Sequence, residues 1–143
     1  MKILILQGPN LNLLGVKSKQ SSENLTLDKL NKHIRKLCSQ VNIETKILQT
    51  HKQFQAINFL QRNRIKYDSL LIIPTSWARS NWTIVETITL INLPTAVIYF
   101  EDPYSFGTTK KESILSGENM KSFSGQPIDA CSEGLNYLIN QVK

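Results

Sequence analysis

The chain has 143 residues, 41% of them hydrophobic and 20% charged. That is one domain of ordinary size, spanning 1–143, with enough apolar residues for a real core, and it excludes disordered and fibrous classes. Seventeen basic against eleven acidic residues give a net charge of +6, which suits anionic ligands in general, but the basic residues form no block.

Residues 2–7, KILILQ, are a short apolar run ending at Gly-Pro, which predicts a buried strand. A polar loop follows, Gly8-Pro9-Asn10-Leu11-Asn12, and then VKSKQSSENLT, charged and flexible in composition. Residues 26–41 place Leu27, Leu30, Ile34, Leu37 and Val41 on one helical face. Thr26 can cap the first turn, and Asp28 suits the positive end of the helix dipole. Residues 43–49 return to strand character. Residues 54–63 predict a short helix with Phe54, Ile57 and Leu60 on one side. Residues 69–73, SLLII, are a second continuous apolar run, ending at Pro74. The helix expected near 83–92 is rich in β-branched residues, so packing must hold it against weak propensity. Residues 95–100, TAVIYF, are another buried strand, followed by the polar loop EDPYSFGTTKKES. A last short strand near 120–124 leads into a helix whose face is Ile128, Cys131, Leu135, Leu138 and Val142.

Continuous apolar strands separated by amphipathic helices imply a parallel sheet covered on both faces. Five strands fit an α/β, flavodoxin-like three-layer fold with strand order 2-1-3-4-5. Ligands in such folds bind beyond the carboxyl ends of the strands, so a site should be built from the loops 8–25, 50–53, 74–82 and 101–112. The two cysteines, Cys38 and Cys131, lie in helical patterns and read as buried reduced thiols. No Cys/His spacing suggests zinc, and His33 and His51 are too scattered to argue for any metal. No apolar run approaches the ~20 residues that cross a bilayer, and no apolar run with a small-residue cleavage site opens the chain. A cytoplasmic protein without a membrane partner is the expectation. The aromatics or motif of a nucleic-acid surface are not found beside the basic residues, which argues against that partner.

Asn10 and Asn12 are candidate ligand contacts, or formers of a tight turn after a strand. Trp77 and Trp82 flank Ala-Arg-Ser-Asn and could stack a planar ligand or fill a subunit interface. Lys17, Lys52, Arg79 and Lys110 come from four loops that should converge, which would suit a small anion. The alternative is that they simply solvate the surface. Tyr99 and Tyr104 are the phenols near the expected site. Ser76, Ser80 and Ser105 have no histidine positioned by sequence to activate them.

The stretch GPNLNLLG resembles the N-terminal signature of the type II 3-dehydroquinate dehydratases (type II dehydroquinases) nearly residue for residue. Chain length, element order and the Asn-Leu-Pro before the fourth strand agree with it. The resemblance implies a homo-oligomer built from trimers, typically a dodecamer, and dehydration of 3-dehydroquinate in the shikimate or quinate pathway with neither metal nor organic cofactor. It also implies a loop tyrosine as base, an arginine that lowers its pKa, and an asparagine in the Gly-Pro-Asn turn. A histidine at the end of the fourth strand, oriented by a glutamate, completes that set.

Carried over position by position, the turn asparagine is retained as Asn10, the arginine position falls on Lys17 and the tyrosine position on or near Ser22. The strand-four glutamate and histidine positions fall on Val97 and Tyr99. Among substrate-holding positions, the asparagine before the proline is Ile73 and the second histidine is Arg79. The backbone amides that receive the carboxylate belong to Phe100, Glu101 and Asp102. The later arginine is Lys110, which keeps the charge but loses the bidentate fork. Glu86 stands for an acidic residue at the trimer contact. A serine hydroxyl is a far weaker acid than a phenol, so Ser22 with Lys17 makes no competent base near neutral pH. The expectation is therefore a family homologue with an altered site, weak or no dehydratase activity, and a small anionic ligand. One alternative is an active dehydratase with Tyr99 or Tyr104 as substitute base. Another is a non-enzymatic binding or scaffold protein.

Overall fold

The computed structural model describes residues 1–21 and 23–142. Five strands, β1 (Lys2–Gln7), β2 (Glu44–Gln49), β3 (Ser69–Ile73), β4 (Thr95–Phe100) and β5 (Met120–Gly125), form one sheet in the order 2-1-3-4-5. Every pairing is parallel. β1, β3 and β4 are central and nearly wholly buried, whereas the edge strands β2 and β5 are only partly so. That is why the central runs read as continuous apolar stretches and the edges do not.

The pleat divides the core in two. Ile3, Ile5, Leu71, Ile73, Ala96, Ile98 and Phe100 face helices α2 (Leu27–Ser39) and α6 (Pro127–Val142). Leu4, Leu6, Leu70, Ile72, Val97 and Tyr99 face α3 (Gln53–Asn63) and α5 (Trp82–Ile91). α6 lies so close to the sheet that a Cβ on Gly134 would stand 2.6 Å from Ile98 Cδ1 and 3.3 Å from Ala96 Cβ. Among the described residues no helix is long and apolar enough to cross a membrane, and no group of three or more His, Cys, Asp or Glu side chains could hold a metal. Cys38 and Cys131 are free thiols buried on the α2/α6 side.

Three of the expected face positions need correction. α2 ends at Ser39, and Asn42 turns the chain back in the left-handed region (φ 58°), so Val41 lies beyond the helix and is exposed. On α3 the anchoring aromatic is Phe59, not Phe54; Phe54 sits in the first turn and is 63% exposed. Ile128, also in a first turn, is exposed, while Cys131, Leu135 and Leu138 carry the face of α6. The side chain of Val142 lies outside the described residues. The stretch after Asn12, flexible in composition, contains a helix, α1 (Leu14–Gln20), pinned by buried Leu14 and Ser18. A one-turn helix, α4 (Trp77–Ser80), precedes α5.

Candidate functional site

The loops after β1 and β3 cross at the carboxyl edge of the sheet and form a floor. The Gly8 amide donates to the Ile73 carbonyl (2.8 Å), and the Thr75 hydroxyl donates to the Pro9 carbonyl (2.8 Å). A Cβ on Gly8 would stand 2.4 Å from the Pro74 carbonyl oxygen, so only glycine admits this crossing. Thr75 has φ 50°, a left-handed conformation that a β-branched residue adopts only under strain. Asn10 also takes the left-handed region (φ 69°), and its amide donates to His51 Nδ1 at 3.3 Å. Asn10 is exposed at the turn. Asn12 is exposed in the one-turn 3-10 segment Leu11–Leu13.

The loop between β4 and β5 lies over that floor as a cover. Its aromatics turn inward: Tyr104 is 1% exposed, and Phe106 packs against the core with Ile73, Ile98 and Phe100. Tyr104 donates its hydroxyl to the Glu23 carboxylate, with Ser21 Oγ 3.4 Å away. The Lys17 ammonium stands 4.8 Å from the centre of the Phe106 ring, a cation–π contact. On the far side, one Arg79 nitrogen donates to the Gly107 carbonyl (3.1 Å) and to Glu112 (3.0 Å). Glu112 also accepts from the Thr109 amide and hydroxyl in a capping box. Those two hydrogen bonds, then the Arg79 charge, hold its carboxyl below the ordinary value.

Between floor and cover the structure leaves a cavity of about 10 Å3, lined by Ile73, Thr75, Ile98, Tyr99, Phe100, Phe106 and Thr108. A water molecule needs roughly 10–15 Å3 of such space. The Thr108 hydroxyl is buried with no hydrogen-bond partner.

The four basic residues expected to converge do not. Lys17 rests on Phe106, Lys52 lies 5.8 Å from the Phe54 ring, and Arg79 is tied to Gly107 and Glu112. Lys110 lines a separate groove of about 220 Å3 with the exposed Glu101 and Asp102. Lys17, Lys52 and Arg79 each have a nearer partner than a shared centre. Tyr99 points to the α3/α5 side, where its hydroxyl donates to Ser113, and burial raises its pKa above the ordinary value despite the lowering effect of Ser113 and Ser122. Ile73 is buried in the α2/α6 core and Glu86 is exposed on α5, in a groove shared with Arg64. Trp77 is buried in the α3/α5 core, whereas Trp82 is 66% exposed on an open groove with His51, Arg79, Ser76 and Ser80. Ser105 is half-buried near Lys110. Ser22 lies outside the described residues.

Sequence reasoning missed Thr75, Phe106, Thr108, Glu112 and Glu23. Two signals were present: aromatics inside an otherwise polar loop, and Thr109-Lys-Lys-Glu112, which has the spacing of a capping box.

Comparison with known proteins agrees with this architecture. Over 116 residues, 81% of both chains, the sequence is 31% identical to a 3-dehydroquinate dehydratase of Clostridium acetobutylicum. It is 27% identical over 143 residues to one of Geotalea daltonii, covering 100% of this chain and 99% of that one. The type II dehydroquinase structure from Butyrivibrio crossotus superposes with a TM-score of 0.83 at 21% identity, covering 97% of each chain, and so shares the fold. The family model for dehydroquinase class II matches residues 1–139, and the chain belongs to that family.

Proposed function

We propose that this chain keeps the fold of the class II dehydroquinases while its site is altered, so that it dehydrates 3-dehydroquinate weakly or not at all. The observation that carries this reading is the space left where a ligand would sit. Pockets for small molecules occupy roughly 300–1,000 Å3; the cavity between floor and cover is about 10 Å3, and the groove lined by the family positions Tyr99, Phe100, Glu101 and Lys110 is about 220 Å3. With the Phe106 ring seated against Ile73 and Ile98, the space between floor and cover is too small for a six-membered-ring acid.

The residues around it support the same conclusion. The resemblance to the family asks for an ionisable phenol beside a guanidinium in the β1 loop, and that stretch has Lys17 and Ser22. Tyr99, at the histidine position, keeps its proton to higher pH than a free phenol and donates it to Ser113. Arg79 already holds the cover. A small anion remains the ligand class favoured by the +6 net charge. For assembly, the exposed Phe54, Trp82 and Leu90 on α3 and α5 favour a homo-oligomer joined through that face, trimer-based as the family resemblance implies. Light scattering on the purified protein tests it; a monomer at micromolar concentration contradicts it.

The direct test is ultraviolet absorbance of the conjugated enone product after mixing purified protein with 3-dehydroquinate. Turnover within about tenfold of an ordinary family member, a difference of only ~1.4 kcal/mol in barrier, overturns the proposal.

A second reading has one observation behind it. The Tyr104 hydroxyl reaches the segment around Ser21 and Glu23, where the family resemblance places its base. An active enzyme using that phenol would lose its turnover in Tyr104→Phe. Unchanged turnover in that variant rules Tyr104 out.

A further inference from the structure

The segment Tyr104–Glu112 lies outside the sheet and is attached by side chains of α1, of α4 and of the loop after α1, and by its own buried Tyr104. Arg79 grips it at Gly107 and Glu112, Glu23 takes the Tyr104 hydroxyl, and Lys17 stands on the Phe106 ring. A backbone contact, Ile114 amide to Ala78 carbonyl at 2.8 Å, marks where the segment rejoins the body. Gly107, at φ 70°, presses against the Ser76 backbone, with a Cβ position 3.1 Å from Ser76 Cα. Beneath Phe106 the packing is incomplete. The small cavity remains, and the Thr108 hydroxyl on its wall is buried without a partner. A buried hydroxyl left unpaired is a cost that a well-packed core avoids.

We infer that residues 104–109 are an intramolecular plug, and that displacing Phe106 opens a site for a small carboxylate between Lys17, Thr75 and Thr108. The inference rests on the reading of the cavity given above as the remnant of a ligand site. Three features fit it. Lys17 now spends its charge on an aromatic face, a weaker partner than a carboxylate. Thr108 has a hydroxyl to offer and nothing to receive it. Tyr104 is anchored in the core, but Phe106 is only half-buried and Arg79 is 59% exposed, so the ring can be displaced without unfolding the sheet.

The test is amide NMR with 3-dehydroquinate as the probe, on the wild-type protein and on Phe106→Ala. The variant should bind at least about tenfold more tightly than the wild type, with shifts at Lys17, Thr75 and Thr108. A folded variant whose shifts match those of the wild type overturns the plug. Arg79→Ala tests the same device without touching the core, since Arg79 is 59% exposed. Its Tyr104 and Thr108 amides should exchange with solvent about tenfold faster while those of β1 and β3 stay unchanged. Unaltered exchange at both amides overturns the inference as well. The two proposals fail separately. Wild-type turnover of 3-dehydroquinate sinks the reading of weak activity, whereas equal binding by wild type and Phe106→Ala sinks the plug alone.

Discussion

The floor and the cover meet at one cavity but are held by different means. The floor is backbone against backbone: Gly8 on Pro74 and Ile73, with Thr75 strained into place. The cover is side chain against loop: Arg79 on Glu112, Tyr104 on Glu23, Lys17 on Phe106. Backbone contacts of this kind admit almost no substitution, whereas side-chain contacts can be exchanged singly for small changes in free energy. The fold is therefore recorded in the floor, and the chemistry depends on the cover. GPNLNLLG speaks for ancestry because its glycine and proline shape the crossing whatever stands above it.

The contrast breaks most sharply at Gly8. Gly8→Ala must move the Pro74 carbonyl, and a loss of about 3 kcal/mol is expected in urea unfolding. A loss under about 1 kcal/mol would show that the crossing is not rigid. In the cover, Phe106→Ala removes a partly buried ring, and about 2 kcal/mol is expected, less than a fully buried phenylalanine costs. Thr75 sharpens the comparison within the floor. Thr75→Gly relieves the left-handed strain and loses the bond to Pro9, so it should be near neutral, whereas Thr75→Val keeps the strain and loses the bond. The glycine variant should be the more stable by about 1 kcal/mol or more in paired thermal melts. Equal melting temperatures would argue against strain at this position.

Alkaline pH acts on the core under both regions. Burial pushes the Cys38 thiol up to about 11 and Cys131 up to about 12, from 9.0 when exposed. Between the unfolded and folded values the native state holds the extra protons. Their contribution is full below pH 9 and is lost as the pH rises through the folded values. Urea midpoints should fall from pH 8.5 to pH 10.5 in the wild type and less in Cys131→Ala. The smallest effect belongs to the exposed Arg79–Glu112 pair. Arg79→Ala should change global stability by under about 0.5 kcal/mol while loosening the cover.

The strand order was legible because the central strands are buried on both faces and read as unbroken apolar runs, Ile3–Leu6 and Leu70–Ile73 among them. Helix faces were legible in their middles and not in their first turns. Phe54 and Ile128 fit the helical spacing but are exposed in the first turns of α3 and α6, where spacing alone cannot tell core from solvent. Asn10, Ile73 and Tyr99 could be placed at the strand ends by position. What could not be read was where the side chains of the long loops go. That depends on contacts across roughly thirty or eighty residues of sequence, such as Arg79 to Glu112 and Tyr104 to Glu23, which have no periodicity to betray them. For the same reason the basic loop residues looked convergent and are not.

A crystal structure of the wild-type protein grown with 3-dehydroquinate at millimolar concentration tests the central claim most directly. The expected result is the Phe106 ring seated over Ile73 and Ile98, Arg79 on Glu112, and no ligand between floor and cover. Density for 3-dehydroquinate in that space, with Phe106 displaced and Arg79 turned onto the ligand, would contradict it.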